Sequence, residues 1–221
     1  GLPAEEVGAI ENPYCEWIGA DIRADPWGYL APGWPEKAAE LAWRDAYISH
    51  RRNGIYGEMF FAAAISAAFA VDDPTEAMEI GLSEIPAECA MAKAVRWALD
   101  TASDITDYRV ARETVNEHFV GMHPVHTINN ACLTIWGLTI GRRDFTKVIS
   151  ETVAMGLDND CTAATAGSLC GTIVGAAGIP PHWTAPFNNK VLTYMNDHPE
   201  FAIDDVVKRF TAQAQRVFGD A

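Results

Sequence analysis

Runs that alternate apolar and polar residues are nearly absent from this 221-residue chain, whereas apolar positions recur at helical spacing along most of it. Such a pattern cannot cover a sheet and must bury helix faces against one another, which predicts a compact all-α fold. Pro35 suits the first turn of a helix running to about His50, with Leu41, Ala42, Asp45, Ile48 and Ser49 on one face. The apolar run 55–71, IYGEMFFAAAISAAFAV, is shorter than the roughly 20 residues a bilayer requires. It also carries Glu58, and it reads as a buried core helix entered past Gly54 and Gly57. Asp73-Pro74-Thr75-Glu76 has the form of an N-cap, a proline at the first helical position and an acid in the first turn. Pro86 opens a helix to about Asp100, with Met91, Val95 and Ala98 on one stripe. Further helices are predicted over 108–119, 127–140, 144–155, 161–176 and 203–218, with Gly156 as a C-cap. Residues 1–35 are the least regular part. No repeat or flexible linker divides the chain, so one domain is expected.

The charge balance, 16 Lys and Arg against 30 Asp and Glu, gives −14. That excess argues against a nucleic-acid or anionic membrane surface, both of which need basic patches. It leaves open a phosphate-bearing small molecule, because a metal ion or a helix N-terminus reverses the local field. Five scattered cysteines without a CxxC pair point to a reduced, cytoplasmic setting.

Within 161–176, Ala163, Gly167, Gly171 and Gly175 recur every four residues and share one helix face. Each glycine costs about 1 kcal/mol of helix propensity relative to alanine. Close approach by another element is the expected return. Just before this helix stands Gly156-Leu157-Asp158-Asn159-Asp160-Cys161-Thr162. On a regular helix Asp158 and Asp160 would diverge, but in a loop turning into a helix both can face one point. Two readings stand side by side: carboxylates stabilised by the helix dipole, or hard oxygen ligands for Mg²⁺ or a similar ion. An EF-hand is excluded, since its glycine and its closing glutamate are missing.

The segment GLDNDCTAATAGSLCGTIVGAAGIPPHW resembles the C-terminal motif of the ADP-ribosylglycohydrolase family, G-x-D-x-D-(T or S)-x-A-A-x-x-G followed by a Gly-rich helix, Ile-Pro and Trp. IGADIRADPWGYLAPGWPEKAAELAWRDAYISHRRNGIYGEMF, IGLSEIPAECAMAKAVRWALD and HPVHTINNACLTIWGLTIGRRDF resemble earlier blocks of the same family, in family order. The resemblance implies an all-α fold with a binuclear Mg²⁺ site, in which Mn²⁺ can substitute. It implies hydrolysis of the glycosidic bond joining ADP-ribose to a protein side chain or a related acceptor. Carried over by motif, Asp158 and Asp160 become metal ligands. The position the family gives to a Thr or Ser hydroxyl is Cys161, a soft donor where Mg²⁺ favours oxygen. The block holding Ser49, His50, Asn53, Gly54, Tyr56 and Gly57 would lie by the ADP-ribose pocket.

The family's N-terminal Thr-Asp-Asp motif has no counterpart before residue 21, and Asp72-Asp73 falls in a helix cap after the Ser-His block. The resemblance therefore implies that residues 1–221 are the C-terminal portion of a single domain. An N-terminal segment or a second chain would then complete the site and supply the acid–base residue. The alternative is a family member that binds ADP-ribose, or serves a structural role, without turnover. The expected partners are an ADP-ribosylated protein or an ADP-ribose-containing small molecule, with no nucleic acid and no membrane.

Other candidates have plain structural readings. His50 either donates to a ribose hydroxyl or closes a helix at a turn. Asp21, Arg23 and Asp25 read first as an ion-pair set, with Arg23 alternatively on a phosphate. His118, His123, His126 and Cys132 are too irregularly spaced for a zinc site. Asn129-Asn130 reads as a helix cap and Trp183 as a packing anchor.

Overall fold

The structure, a computed structural model, describes residues 1–219. In chain order the helices are α1 (Ala4–Val7), α2 (Asp25–Leu30), α3 (Pro35–Ala46), α4 (Asn53–Ala67), α5 (Pro74–Ser83), α6 (Ala90–Asp100), α7 (Tyr108–His118), α8 (Thr127–Gly141), α9 (Phe145–Met155), α10 (Asn159–Gly178), α11 (Pro181–Thr184) and α12 (Ile203–Gly219). A 3₁₀ turn at Asp21–Arg23 precedes α2, and a second follows α11 at Ala185–Phe187. The expected all-α architecture is present. It is supplemented by an antiparallel hairpin of β1 (Lys190–Met195) and β2 (His198–Ala202), which periodicity did not announce.

Two helices, α4 and α8, are apolar all round and form the centre. From α4 come Phe60, Phe61 and Ile65, and from α8 Leu133, Ile135, Trp136 and Leu138, all fully buried. Helices α2, α3 and α5 pack around α4, while α6, α7 and α9 pack around α8. Small residues set the spacing. A Cβ added at Gly141 would lie 2.5 Å from the Val148 backbone nitrogen, so α8 and α9 meet closer than any side chain allows. The order of elements thus fixes α9, and with it the turn into α10.

The helix starts show which local signals were strong. Asp73 accepts from the Thr75 backbone N–H at 2.7 Å, as its sequence pattern requires, and Asp107 and Asp144 cap α7 and α9 in the same way. Pro86 lies a turn upstream of α6, which starts instead at a Cys89 cap. Gly54 and Gly57 lie in the first two turns of α4, at its entry.

The small-residue face of α10 is only partly used. Gly167 receives Ile149 of α9, Gly171 is in ordinary contact, and Gly175 takes φ +67° and interrupts the helix. By length and composition α10 is long and apolar enough to cross a bilayer; here its first half is buried against α9 and α8, and its C-terminal turns are exposed.

Candidate functional site

The turn from α9 into α10 builds the site. Helix α9 ends at Gly156, with φ +72°, and Leu157 follows at φ +59°. Glycine takes this left-handed conformation freely, whereas Leu157 holds it at a cost of roughly 1–3 kcal/mol. Two such residues in succession reverse the chain and deliver Asp158 to the N-cap of α10.

At that position the side chain of Asp158 makes no capping hydrogen bond, unlike Asp73, Asp107 and Asp144 at theirs. Its carboxylate is therefore not consumed by the helix end. The backbone holds it in place instead: the Asp158 N–H donates to Asn130 Oδ1 at 3.1 Å. Asn130 is fully buried, and its Nδ2 donates to the carbonyls of Pro124 (2.7 Å) and His126 (2.8 Å).

Donor atoms of Asp158, Asp160 and Cys161 lie within 4.8 Å of one another. Burial raises the Asp158 carboxyl above its ordinary range; the Cys161 thiol donating to it works the other way, and Asp160 pushes it up further. Burial and the carboxylates of Asp158, Asp160 and Asp21 drive the Cys161 thiol far up, so it stays protonated and serves Asp158 as a hydrogen-bond donor. Two converging carboxylates suit a hard divalent cation, and a protonated thiol adds little to it. Thr162, next in line, is fully buried, and its hydroxyl has no hydrogen-bond partner among the described residues.

A second acidic pair stands behind this loop. Asp21, on the 3₁₀ turn packed against α10, is 1% exposed, and neither of its carboxyl oxygens has a hydrogen-bond partner among the described residues. Burial, then the charges of Asp25 and Asp158, raise its pKa well above the carboxylate range. Burial pushes Asp25 up to about 7, against the Ser168 hydroxyl and a backbone N–H that lower it. The ion-pair reading of Asp21, Arg23 and Asp25 is corrected here. Arg23 turns the other way, to Asp45 at 2.7 Å, with further contacts to the Gly19 carbonyl, the Ser49 hydroxyl and, at 3.8 Å, Glu58. Each nitrogen of its fork is thus engaged within the protein.

Glu58, fully buried in α4, is pushed up to about 9 by burial and by Asp45, which together outweigh the Arg23 charge. The folded protein keeps a proton there that the unfolded chain releases above about 4.5. Stability therefore falls as pH rises from that value toward 9, by up to about 1.4 kcal/mol per pH unit. Glu58→Gln removes the term, so its advantage over wild type grows between pH 5 and pH 8 in urea unfolding. Parallel pH profiles for the two proteins would contradict this assignment.

A cavity of about 330 Å³ opens beside the acidic loop, lined by Tyr14, Trp17, Ser49, His50, Asp158 and Cys161 among others. The Ser49 hydroxyl lies 2.8 Å from His50 Nδ1, and the ring is also bonded to the Trp17 carbonyl. Burial, then the Arg23 charge, lower His50 to about 4, so the imidazole is neutral at physiological pH.

The structure thus brings Ser49 and His50 to the loop. The rest of that block serves packing. Asn53 donates to Glu16 Oε1 (2.7 Å) and accepts from the Met91 N–H (2.9 Å). A Cβ on Gly54 would collide with the Cys15 carbonyl, and one on Gly57 would meet Thr127 Oγ1 at 2.5 Å. Tyr56 is half-buried against the core. The close approaches these glycines permit are therefore to the chain itself.

Two features escaped the sequence reading. Asn130 is a buried tether and not a cap, since His126 caps α8 through its Nδ1; a polar pair inside the apolar run TINNACLTIWGL was its signal. Trp17 stacks on His123 at 4.6 Å and lies 4.2 Å from Tyr14, giving the cavity an aromatic wall. His118 stacks instead on Trp97, and Cys132 is buried against α6, so these do not join His123 and His126. Trp183 donates to Thr146 Oγ1 and packs on Phe145, as an anchor does.

Searches of curated proteins and of solved structures return no match. A protein-family model, ADP-ribosylglycohydrolase, matches residues 4–216, nearly the whole chain. With that coverage, and with the all-helical core carrying the G-x-D-x-D turn, the chain belongs to the ADP-ribosylglycohydrolase family.

Proposed function

We propose that this protein is a metal-dependent hydrolase of the glycosidic bond between ADP-ribose and a modified side chain or related acceptor. The observation that carries the reading is the uncapping Asp158 carboxylate, converging with Asp160 at the start of α10 beside a cavity of ligand size. These residues fit Mg²⁺ or Mn²⁺, with Asp158 and Asp160 as the donors.

A bound hard cation supplies positive charge next to the ribose hydroxyls and an acidified water. The chain's own groups do the rest. Asp158 and Asp160 would hold the cation beside the sugar, whose anomeric carbon becomes oxocarbenium-like as the bond breaks. Ser49 retains acceptor capacity toward a hydroxyl in the cavity, and neutral His50, engaged by Ser49 and by the Trp17 carbonyl, holds the Ser49 hydroxyl in place. Tyr14, 56% exposed, presents an aromatic face suited to a nucleotide base. Mg²⁺ takes about six oxygens, so the remaining ligands come from water, substrate or another polypeptide segment. That further segment, or a second chain, is also our proposed source of the acid–base residue.

The test is release of free ADP-ribose from ADP-ribosylated arginine and serine peptides, followed by chromatography, with the protein supplied together with the segment or second chain that completes the site; residues 1–221 alone are expected to release little or none. Release that needs Mg²⁺ and disappears in Asp160→Ala supports the hydrolase reading. Tight ADP-ribose binding without release favours the non-catalytic alternative, for which the protonated Cys161 in place of a hydroxyl is the specific argument. Neither release nor binding overturns both.

Exchange of Cys161 for threonine should preserve or raise Mg²⁺ affinity by up to about tenfold, since an oxygen donor replaces a soft one. Calorimetric titration checks this, and a large loss of affinity would show that the thiol matters as a ligand or through its packing.

A further inference from the structure

We propose that the groove between the β1–β2 hairpin and α12 binds a free fatty acyl carboxylate, with the tail along its apolar walls and the head group between Arg209 and Arg216. The groove shares no lining residue with the cavity beside the α9–α10 turn, and nothing in it depends on Asp158 or Asp160.

The walls come first. The groove holds about 680 Å³, against about 330 Å³ for the cavity at the acidic loop, a size that takes a small molecule. Alternation along β1 puts Val191, Thr193 and Met195 on one face, and Phe201 of β2 is the cross-strand partner of Val191. Val206 and Phe210 of α12 form the opposite wall, joined by Leu30 at the end of α2. The two walls do not close on each other: Val191 stays 39% exposed and Met195 59%. Apolar side chains held apart in this way gain their burial only when something apolar lies between them.

The charge then selects the occupant. Acids outnumber bases 30 to 16 in the chain, yet no acid lines the groove among the described residues. Nearby Glu200 pairs with Lys190 at 2.8 Å, and Asp204 accepts from Asn189 Nδ2 at 3.3 Å. Arg23, Arg44, Arg52, Arg96, Arg142 and Arg143 all have carboxylate partners. Arg209 and Arg216 have none among the described residues. The Arg209 guanidinium lies over the Phe201 ring, 5.6 Å from its centroid, which keeps the charge at the apolar wall. The two arginines stand two helical turns apart on one face, roughly 10 Å along the axis, so a group between them is within reach of both. A carboxylate matches the guanidinium fork, and an acyl tail matches the walls. Hairpin and helix close the groove on two sides, which admits a single chain and not a bilayer. The net charge of −14 also opposes an anionic membrane surface.

Calorimetric titration of the purified protein with decanoate, below its micelle-forming concentration, tests this. Saturable one-to-one binding is expected. Decanol, with the same tail and no charge, should bind about tenfold more weakly. Arg209→Gln and Arg216→Gln should each weaken decanoate by about tenfold and leave decanol unchanged, since they remove charge and not wall. Both positions are exposed, and circular dichroism confirms that the variants are folded.

Decanoate that fails to saturate, or that binds the Arg209→Gln, Arg216→Gln double variant as it binds wild type, overturns the proposal. So does decanol binding as tightly as decanoate. Sedimentation with phosphatidylglycerol vesicles in the absence of saturable decanoate binding would make this face a membrane contact and overturn it as well.

Discussion

Asp158→Ala should abolish the rise in melting temperature that Mg²⁺ or Mn²⁺ gives the wild-type protein. A ligand at a hundredfold excess over its Kd stabilises the folded state by about 2.7 kcal/mol, which for a chain of this size is roughly 5–10 °C. All of that shift depends on the carboxylate, because Asp158 adjoins Asp160 and its side chain has no capping role to lose. Without metal the variant should be at least as stable as wild type, since the substitution relieves repulsion from Asp160 and Asp21. Differential scanning calorimetry in chelator and in millimolar Mg²⁺ separates the two effects. An undiminished metal shift in the variant would remove Asp158 from the ligand set.

The second large effect is on folding. Asn130→Ala should cost about 2–4 kcal/mol, because buried Asn130 gives up its part-buried hydrogen bonds to the Pro124 carbonyl and the Asp158 N–H, at about 0.5–1.5 kcal/mol for each bond. The His126 carbonyl also loses a donor, and α8 gains a small cavity. Since Asn130 alone supplies the side-chain tether recorded for the Asp158 backbone, the same substitution should weaken Mg²⁺ binding without removing any ligand. Urea unfolding measures the first effect and calorimetric titration the second. A change below 1 kcal/mol with unaltered Mg²⁺ affinity would show that the turn is held by Gly156 and Leu157 alone.

Much of the helical frame was legible because its signals are local. Asp73 followed by a proline caps α5 as its residues require, and 127–140, 144–155 and 203–218 fall within a residue or two of the observed helices. The hairpin was not legible. In β1 and β2 most side chains are exposed on both faces, so burial imposes no alternation on the sequence. Gly175 was counted as one rung of a helical ladder, but nothing packs within 4 Å of its Cβ position, and its freedom is spent on a kink.

The candidate site divides along the same line. Asp158, Asp160 and Cys161 are neighbours in the chain, and their convergence could be expected from a loop running into a helix. The fates of Asp21 and Arg23 could not. Two residues apart, they suggest a pair, yet the 3₁₀ turn sends Arg23 toward Asp45 on α3 and Asp21 toward α10. Only tertiary packing distinguishes a paired carboxylate from an orphaned one. Gly54 and Gly57 were likewise assigned to a ligand, because close approach is visible in a sequence but its partner is not.

If the turn between α9 and α10 holds a cation, diffraction from Mn²⁺-soaked crystals at the manganese edge will locate it. An anomalous peak is expected within bonding distance of carboxylate oxygens of Asp158 and Asp160, at roughly 2.0–2.3 Å as hard cations prefer. Crystals soaked to saturation that show no peak at this turn, or show Mn²⁺ only elsewhere on the protein, would contradict it.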